Sequence, residues 1–297
     1  MLVALLIPLG LAALVYSIML FRAAIASHLV PKGEGAIVGA ITNFFDTLGI
    51  GSFAPTMAWF KLRKLVPDRL IPCTMLVGHT LPTLTQAIIF LLLLGVLVDP
   101  FLLAGCVLAV LMGGLLGAPL VARTRVWIIQ LLVGCALIVA AGLYAMTNLG
   151  LMPGGGSASS LPPVLMAIAI VANFIFGVLL NFGIGNYAPT LVMLSLMGMD
   201  PRLSFPIMAG GAAMAAAGAS ARHISMGEID LRLATGMALG GIPAVFVAAF
   251  IVKSMPLEIL RWMVIVVVLY AALMMLRSAA HARQHPPSLE ADRAAAI

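Results

Sequence analysis

Long runs of apolar residues, separated by short polar gaps, extend from the start of the chain to about residue 278. Most of these runs are near 20 residues long, the length at which an α-helix crosses a bilayer. They are continuously apolar and lack the alternation of polar and apolar positions that β-barrel strands show. The pattern therefore predicts an all-α polytopic membrane protein. The runs lie at 2–26, 35–62, 70–98, 101–121, 126–148, 163–199, 203–221, 231–253 and 257–278.

Composition supports the membrane assignment. The 297 residues are 63% hydrophobic and 9% charged, whereas about 25% of the residues in soluble proteins are charged. The net charge of +6 comes from short basic groups between apolar runs, which indicates membrane topology and not nucleic-acid binding. The three cysteines lack metal-ligand spacing, so we expect neither a disulfide framework nor a metal site. They are Cys73, Cys106 and Cys135.

One short phrase occurs twice inside the apolar runs. The sequence GIGSFAPT begins at Gly49 and GIGNYAPT begins at Gly183, so six of eight letters agree at an offset of 134 positions. Collinear matches of this kind predict an internal duplication. Two proline pairs match at the same offset, Pro67 with Pro201 and Pro72 with Pro206.

The duplication divides the chain into five parts. The segment between the repeats is rich in Gly and Ser and free of charge, which is typical of a linker. The parts are an N-terminal transmembrane helix at 1–30, a first repeat at 31–148, the linker at 149–162, a second repeat at 163–278 and a flexible polar tail at 279–297.

Basic residues predict how the runs are oriented, because positive charge favours the cytoplasmic side. The gaps before and after the run at 35–62 are both basic. This run is therefore predicted to enter the membrane and return, and the run at 163–199 to do the same. Three spans then follow each re-entrant segment, so the two pseudo-symmetric repeats would be inverted, as in many transporters. The alternative is that both runs are kinked spanning helices, which gives nine spans and parallel repeats.

The repeated phrase has the chemistry of an anion site. Its glycines interrupt the helix, and Pro55 and Pro189 then fit the first turn of a new half-helix. A helix start offers free N–H groups and a partial positive charge. Broken backbone at membrane depth must be surrounded by protein or by a watery cavity, so we expect both phrases to face one midplane pocket. The candidate substrate-binding residues are Thr47, Gly49, Gly51, Ser52, Thr56, Asn181, Gly183, Gly185, Asn186 and Thr190.

Three polar residues near the first phrase are candidates for coupling or gating: Asp46, His79 and Gln86. Placing an ionisable group at membrane depth costs free energy, so such a group usually has a function or a bonding partner. Asp46 could bind a proton or a cation, or it could cap the helix that follows. His79 could transfer a proton, or it could be a hydrogen-bonded core residue.

The two glycine-rich phrases, each followed by "AP" and then by a charged loop containing proline, resemble the TauE/SafE family of membrane transporters, often called sulfite exporters. The resemblance covers about residues 30 to 278. It implies transport of small sulfur-containing or organic anions such as sulfite, sulfonates or sulfoacetate-like compounds. It implies no cofactor.

Together these features predict a secondary transporter of a small anion that works by alternating access in the bacterial cytoplasmic (inner) membrane. The chain contains no Walker-type phosphate loop, so a proton or ion gradient would supply the energy. Its partners would be the anion and the lipid bilayer, and the oligomeric state is left open. One alternative is a passive anion channel. Another is an intramembrane enzyme with Ser52 as nucleophile and His79 as base, but the chain lacks the GxSxG and HExxH signatures, so we expect no enzyme.

Overall fold

The computed structural model describes residues 2–67, 70–121, 126–151, 156–180, 185–227 and 229–284. This part of the chain forms eleven α-helices joined by short connections. The helices are α1 (Leu2–Ala26), α2 (Gly33–Thr47), α3 (Phe53–Arg63), α4 (Ile71–Leu93), α5 (Pro100–Val121), α6 (Val126–Asn148), α7 (Pro163–Leu180), α8 (Tyr187–Leu196), α9 (Ser204–Met226), α10 (Leu231–Ser254) and α11 (Leu257–Gln284).

The apolar pattern explains where these helices lie. Each predicted run is helical, and only the two runs that contain the repeated phrase are split, into α2 with α3 and α7 with α8. Within the described residues, eight helices are long and apolar enough to cross a membrane, namely α1, α4, α5, α6, α7, α9, α10 and α11. The predicted all-α integral membrane protein is confirmed.

Helices α2 and α3 form a hairpin whose two ends lie side by side. Nε of Arg63, at the end of α3, is 2.9 Å from Oε1 of Glu34, at the start of α2. The indole of Trp59 donates to the same oxygen at 3.3 Å. The bonds from Arg63 and then from Trp59 hold the pKa of the Glu34 carboxyl below its usual value. The ends of a spanning helix would be separated by about 30 Å of hydrocarbon, so this pair has the geometry of a re-entrant hairpin.

Helices α7 and α8 return in the same way. Ala158, before α7, donates its N–H to the carbonyl of Gly198 at 3.2 Å and accepts from the N–H of Asp200 at 3.0 Å, both beyond α8. The second hairpin is therefore also closed at its ends by direct contact. Its halves are unequal, because α7 has 18 residues and α8 has 10.

The chain enters the two hairpins at opposite ends of the helix bundle. Lys32, just before α2, forms an ion pair of 2.7 Å with Asp230, just before α10. Helix α9 ends near Asp230, and its other end follows directly on the closed ends of the second hairpin. The 23 residues of α9 span about 35 Å at 1.5 Å per residue. The sequence duplication and the membrane orientation stay predictions.

Helices of the first half pack mainly against helices of the second half. Helix α2 packs along α10, and its counterpart α7 packs along α5, while α4 and α9 contact each other. Small residues allow these close approaches, as is common between membrane helices. A Cβ at Gly39 would overlap the backbone of Met237 in α10, and a Cβ at Gly177 would overlap the backbone of Val110 in α5.

The replacement Gly39→Ala tests the contact between α2 and α10. We expect it to destabilise the protein by about 1–3 kcal/mol, because the added methyl group meets backbone and cannot be accommodated by a side-chain rotation. Thermal unfolding in detergent measures the effect. Gly33→Ala in the same helix is the control, since its Cβ would meet nothing within 4 Å. Equal stability of the two variants would contradict the proposed packing constraint.

Candidate functional site

The break between α2 and α3 depends on glycine. Gly49 and Gly51 have φ angles of 96° and 91°, which residues with a Cβ rarely adopt. The chain therefore leaves the helix at the first phrase and starts again at Phe53. This confirms the predicted helix break.

The first break lies against the helix that follows the second break. A Cβ at Gly49 would be 3.7 Å from Cδ2 of Leu191 in α8 and 3.7 Å from Cγ1 of Val267 in α11. It would also lie 3.9 Å from the ring of Phe205 in α9. The first phrase thus reaches the interior of the bundle and meets elements of the second half there.

The helices after the breaks begin as the phrases predict. Pro55 is the third residue of α3, and Pro189 is the third residue of α8. The first backbone bonds of these helices run from Thr56 N–H to the Ser52 carbonyl and from Thr190 N–H to the Asn186 carbonyl, each at 3.1 Å. The N–H groups before these bonds have no partner within their own helix.

The predicted residues of the second phrase are only partly described. Asn181 and Gly183 lie outside the described residues. Gly185 is described, and a Cβ there would meet nothing within 4 Å. Asn186 is buried and donates from Nδ2 to the Met208 carbonyl of α9 at 3.3 Å. The second phrase therefore contacts α9 through its asparagine.

A buried chain of hydrogen bonds joins α2, α4 and α3. His79 of α4 has Nδ1 3.0 Å from Oδ1 of Asn43 in α2, and its Nε2 is 2.9 Å from the hydroxyl of Thr56 in α3. The exposed fraction is 2% for His79, 1% for Asn43 and 0% for Thr56. Both ring nitrogens of His79 therefore have a hydrogen-bond partner, and imidazole is the side chain whose ordinary pKa lies nearest to neutral pH. The partner of His79 is Thr56, and not the Ser52 of the enzyme alternative.

A second polar group lies at the break itself. The carboxylate of Asp46 faces the backbone N–H and the hydroxyl of Ser52, which suits the predicted capping alternative. Tyr187, the first residue of α8, places its hydroxyl beside the amide of Gln86 and near Asp46. The Tyr187 hydroxyl and both amide atoms of Gln86 are nevertheless outside hydrogen-bonding geometry. Buried polar atoms without a partner are uncommon and mark a place where a ligand could bind.

The two halves differ in how they use the same side chains. In the second half the hydroxyl of Thr190 donates directly to Oδ1 of Asn173 at 3.1 Å. In the first half the imidazole of His79 lies between Thr56 and Asn43. At the repeat offset of 134, His79 aligns with Ala213 and Asn43 aligns with Gly177. The two hydrogen-bonded groups therefore differ in their members.

The structure adds detail at two positions of the predicted site. Thr47 is buried, but its hydroxyl bonds the Asn43 carbonyl of its own helix at 2.7 Å, so it is already satisfied. Tyr187 was missed, although the phrase signals it: the second copy has a tyrosine where the first has Phe53. Its polar tip is the part that reaches Gln86.

The polar side chains beside the breaks are buried. Ser52, Thr56, Asn186 and Thr190 each have an exposed fraction of 2% or less. A cleft of about 510 Å³ lies at the end of α3, beside Lys61, Lys64 and Pro67. Another cavity of about 250 Å³ is lined by apolar residues of α1, α5 and α9. None of the residues that line these two cavities belongs to the repeated phrases.

Comparison with known families adds independent evidence. The family model "Sulfite exporter TauE/SafE" matches residues 165–297. This stretch contains α7 from its third residue, α8 to α11 and the phrase GIGNYAPT, so the predicted TauE/SafE resemblance is confirmed there. No curated protein and no solved structure matches the chain. TauE/SafE is a family of membrane transporters, which is consistent with a protein that is not an enzyme.

The replacement Gln86→Leu separates function from stability at this candidate site. We expect the unfolding temperature to stay the same or to rise, because an unsatisfied buried amide costs about 1–3 kcal/mol. Anion transport should fall, because a donor that faces the break is lost. Thermal unfolding and transport are measured on the same preparations.

Thr85→Val is the matched control for Gln86→Leu. Thr85 is the neighbouring residue in α4, and its hydroxyl bonds the Leu81 carbonyl of its own helix at 2.9 Å. If Gln86→Leu lowers stability and leaves transport intact, the amide has a structural role and no functional one.

Proposed function

We propose that the protein is a secondary transporter of a small anion, such as sulfite, an organosulfonate or a related sulfur-containing or organic anion. The observation that carries this proposal is the meeting of two helix hairpins, which enter from opposite ends, at Gly49 and Leu191. The TauE/SafE match of residues 165–297 supports the same class of function.

The chemistry at the breaks favours an oxyanion. Two helix starts direct N–H groups and partial positive charge into the interior. Gln86 and Tyr187 add an amide and a hydroxyl without protein partners. Several donors around one acceptor group match the multiple oxygens of a sulfite or sulfonate. Asp46 would repel an anion if it were charged, so the substrate is expected to bind together with a neutralising proton or cation.

The two returning helices suggest how access alternates. Helix α8 packs against α6, α7, α9 and α11, whereas α3 packs mainly against α2 and α4. Helix α3 exposes large apolar side chains, with Phe53 at 46% and Leu62 at 84%, while Thr190 in α8 is fully buried. Inverted transporters exchange the conformations of their repeats. In the opposite state of the cycle, α3 would move inward and α8 outward.

The cleft at the end of α3 is the expected entrance in this state. It lies beside Lys61 and Lys64, whose positive charge attracts anions. Because basic residues favour the cytoplasmic side, we place this end of the bundle in the cytoplasm, and the membrane we propose is a bacterial inner membrane.

Flux measurements in proteoliposomes test the proposed transport. We expect uptake of one or more anions from a panel of sulfite, sulfonates and small carboxylates, and accumulation above the electrochemical gradient when an ion gradient is imposed. Asn186→Leu should lower transport efficiency about ten-fold, equivalent to about 1.4 kcal/mol, because it removes an amide at the start of α8. Asn186→Ser, which introduces the residue of the first phrase, should retain more activity than Asn186→Leu.

Two results would contradict this proposal. Flux that never exceeds the electrochemical gradient under any imposed ion gradient would identify a passive channel. Absence of flux for every anion in the panel, in a preparation that unfolds cooperatively, would exclude the proposed substrate class.

A further inference from the structure

We propose that His79 binds the coupling proton, and that Asn43 and Thr56 position its ring for this task. The proposal rests on the transport function proposed above and specifies its coupling ion. It stands on the hydrogen bonds around His79, on the isolation of the ring from other charges, and on the difference between the two halves.

Asn43 fixes which nitrogen of His79 carries a hydrogen. Its Nδ2 donates to the Gly39 carbonyl at 2.7 Å, so Oδ1 is the atom that points at His79. An amide oxygen only accepts, and the Nδ1 of His79 must therefore be the donor in the 3.0 Å contact. In the neutral ring Nε2 is then unprotonated, and it is the only position left for a further proton.

Thr56 responds to that proton. Its hydroxyl lies 2.9 Å from Nε2 of His79 and 2.7 Å from the Ser52 carbonyl, but it has one hydrogen for these two acceptors. When His79 is neutral, the hydroxyl donates to Nε2. When His79 is protonated, Nε2 donates to Thr56, and Thr56 becomes free to donate to Ser52. Protonation of His79 thus makes one more hydrogen bond, from the Thr56 hydroxyl to the carbonyl of Ser52, the residue just before α3.

No described charged group bonds to His79 from the helices packed around it. The buried titratable side chains of the described parts of α1, α2 and α8 are Tyr16, Asp46 and Tyr187. The remaining charged groups of the packed helices lie toward helix ends: Arg22, Glu34, Lys61, Arg63, Arg222, His223, Arg232 and Lys253. Asp46 faces Ser52, and the Tyr16 hydroxyl donates to the Val77 carbonyl at 2.7 Å.

This isolation makes the proton and the anion depend on each other. A buried imidazolium without a counter-ion is costly, and so is a buried anion without a cation. Bound together they neutralise each other. At one membrane face, Nε2 would take up a proton while a monovalent anion binds. At the other face both would be released, so proton and anion would move in the same direction and carry no net charge.

The matching position of the second half carries no imidazole. Thr190 and Asn173 contact each other directly there, and Ala213 lies 134 positions after His79. The proposed proton site is therefore confined to the first half.

The test uses proteoliposomes that contain the full-length protein and an internal pH dye. With the wild type, influx of the transported anion should acidify the lumen, and an inward proton gradient should drive accumulation. His79→Gln should abolish both effects, because it removes the atom that binds the proton. His223→Gln, at the end of α9, is the control and should keep the coupling.

A second pair of variants tests the relay without removing the histidine. Thr56→Val removes the hydroxyl, and Thr56→Ser keeps it. Without the Thr56 hydroxyl, protonated His79 loses two hydrogen bonds and neutral His79 loses one, so protonation becomes less favourable. The pH midpoint of transport should therefore move to lower pH in Thr56→Val and stay at the wild-type value in Thr56→Ser. Thr190→Val, the same change in the second half, should leave the midpoint unshifted whatever its effect on rate.

The outcomes separate this proposal from the transport function. Anion flux in the wild type without lumenal acidification overturns the proton site but leaves the transporter. Gradient-driven accumulation by His79→Gln also overturns the proton site. If His79→Gln has no exchange activity, the Thr56 pair decides: equal midpoints in Thr56→Val and Thr56→Ser overturn the relay, and a shift in Thr56→Val alone supports it. No anion flux in the wild type overturns the transport function itself.

Discussion

The need to pair backbone hydrogen-bonding groups away from lipid governs this structure. Hydrocarbon offers no partner for a broken helix, so each interruption must be enclosed by protein. The break at Gly49 is enclosed by α8, α9 and α11. The hairpins follow from the same constraint, because a chain that stops its helix at depth can return to the side from which it came. The Glu34–Arg63 ion pair and the Ala158 backbone bonds lie where the chain returns in the first and in the second hairpin.

Enclosing the breaks reverses the usual distribution of side chains. Apolar residues such as Phe101, at 71% exposure, face outward, while His79, Gln86 and Asn173 are almost fully buried. Buried polar groups are costly unless they are bonded, and most of these are bonded within their own helix or to a neighbouring one. Gln86 and Tyr187 are different, since their polar atoms lie close together and remain unsatisfied. These two side chains are therefore the unpaired buried groups that accompany the start of α8.

The sequence predicted the helices and the position of the breaks because both depend on local properties. Runs of apolar residues determine the helices, and Gly49 and Pro55 determine where one ends and the next begins. Helix pairing was not predictable, because runs that are apolar all round do not indicate which face meets which neighbour. The pairing of α2 with α10 depends instead on Gly39 fitting the backbone of Met237. The partners of His79 were also missed, since Asn43 and Thr56 lie 36 and 23 positions away from it.

Proton coupling of the kind proposed needs a titratable group between the two helices of a hairpin. In the second hairpin the link from Thr190 of α8 to Asn173 of α7 is direct and has no titratable member. In the first hairpin the imidazole of His79, from α4, lies between Asn43 of α2 and Thr56 of α3. A change of charge on that ring therefore alters the hydrogen bonds that join the helices of the first hairpin and leaves the bond of the second hairpin unchanged.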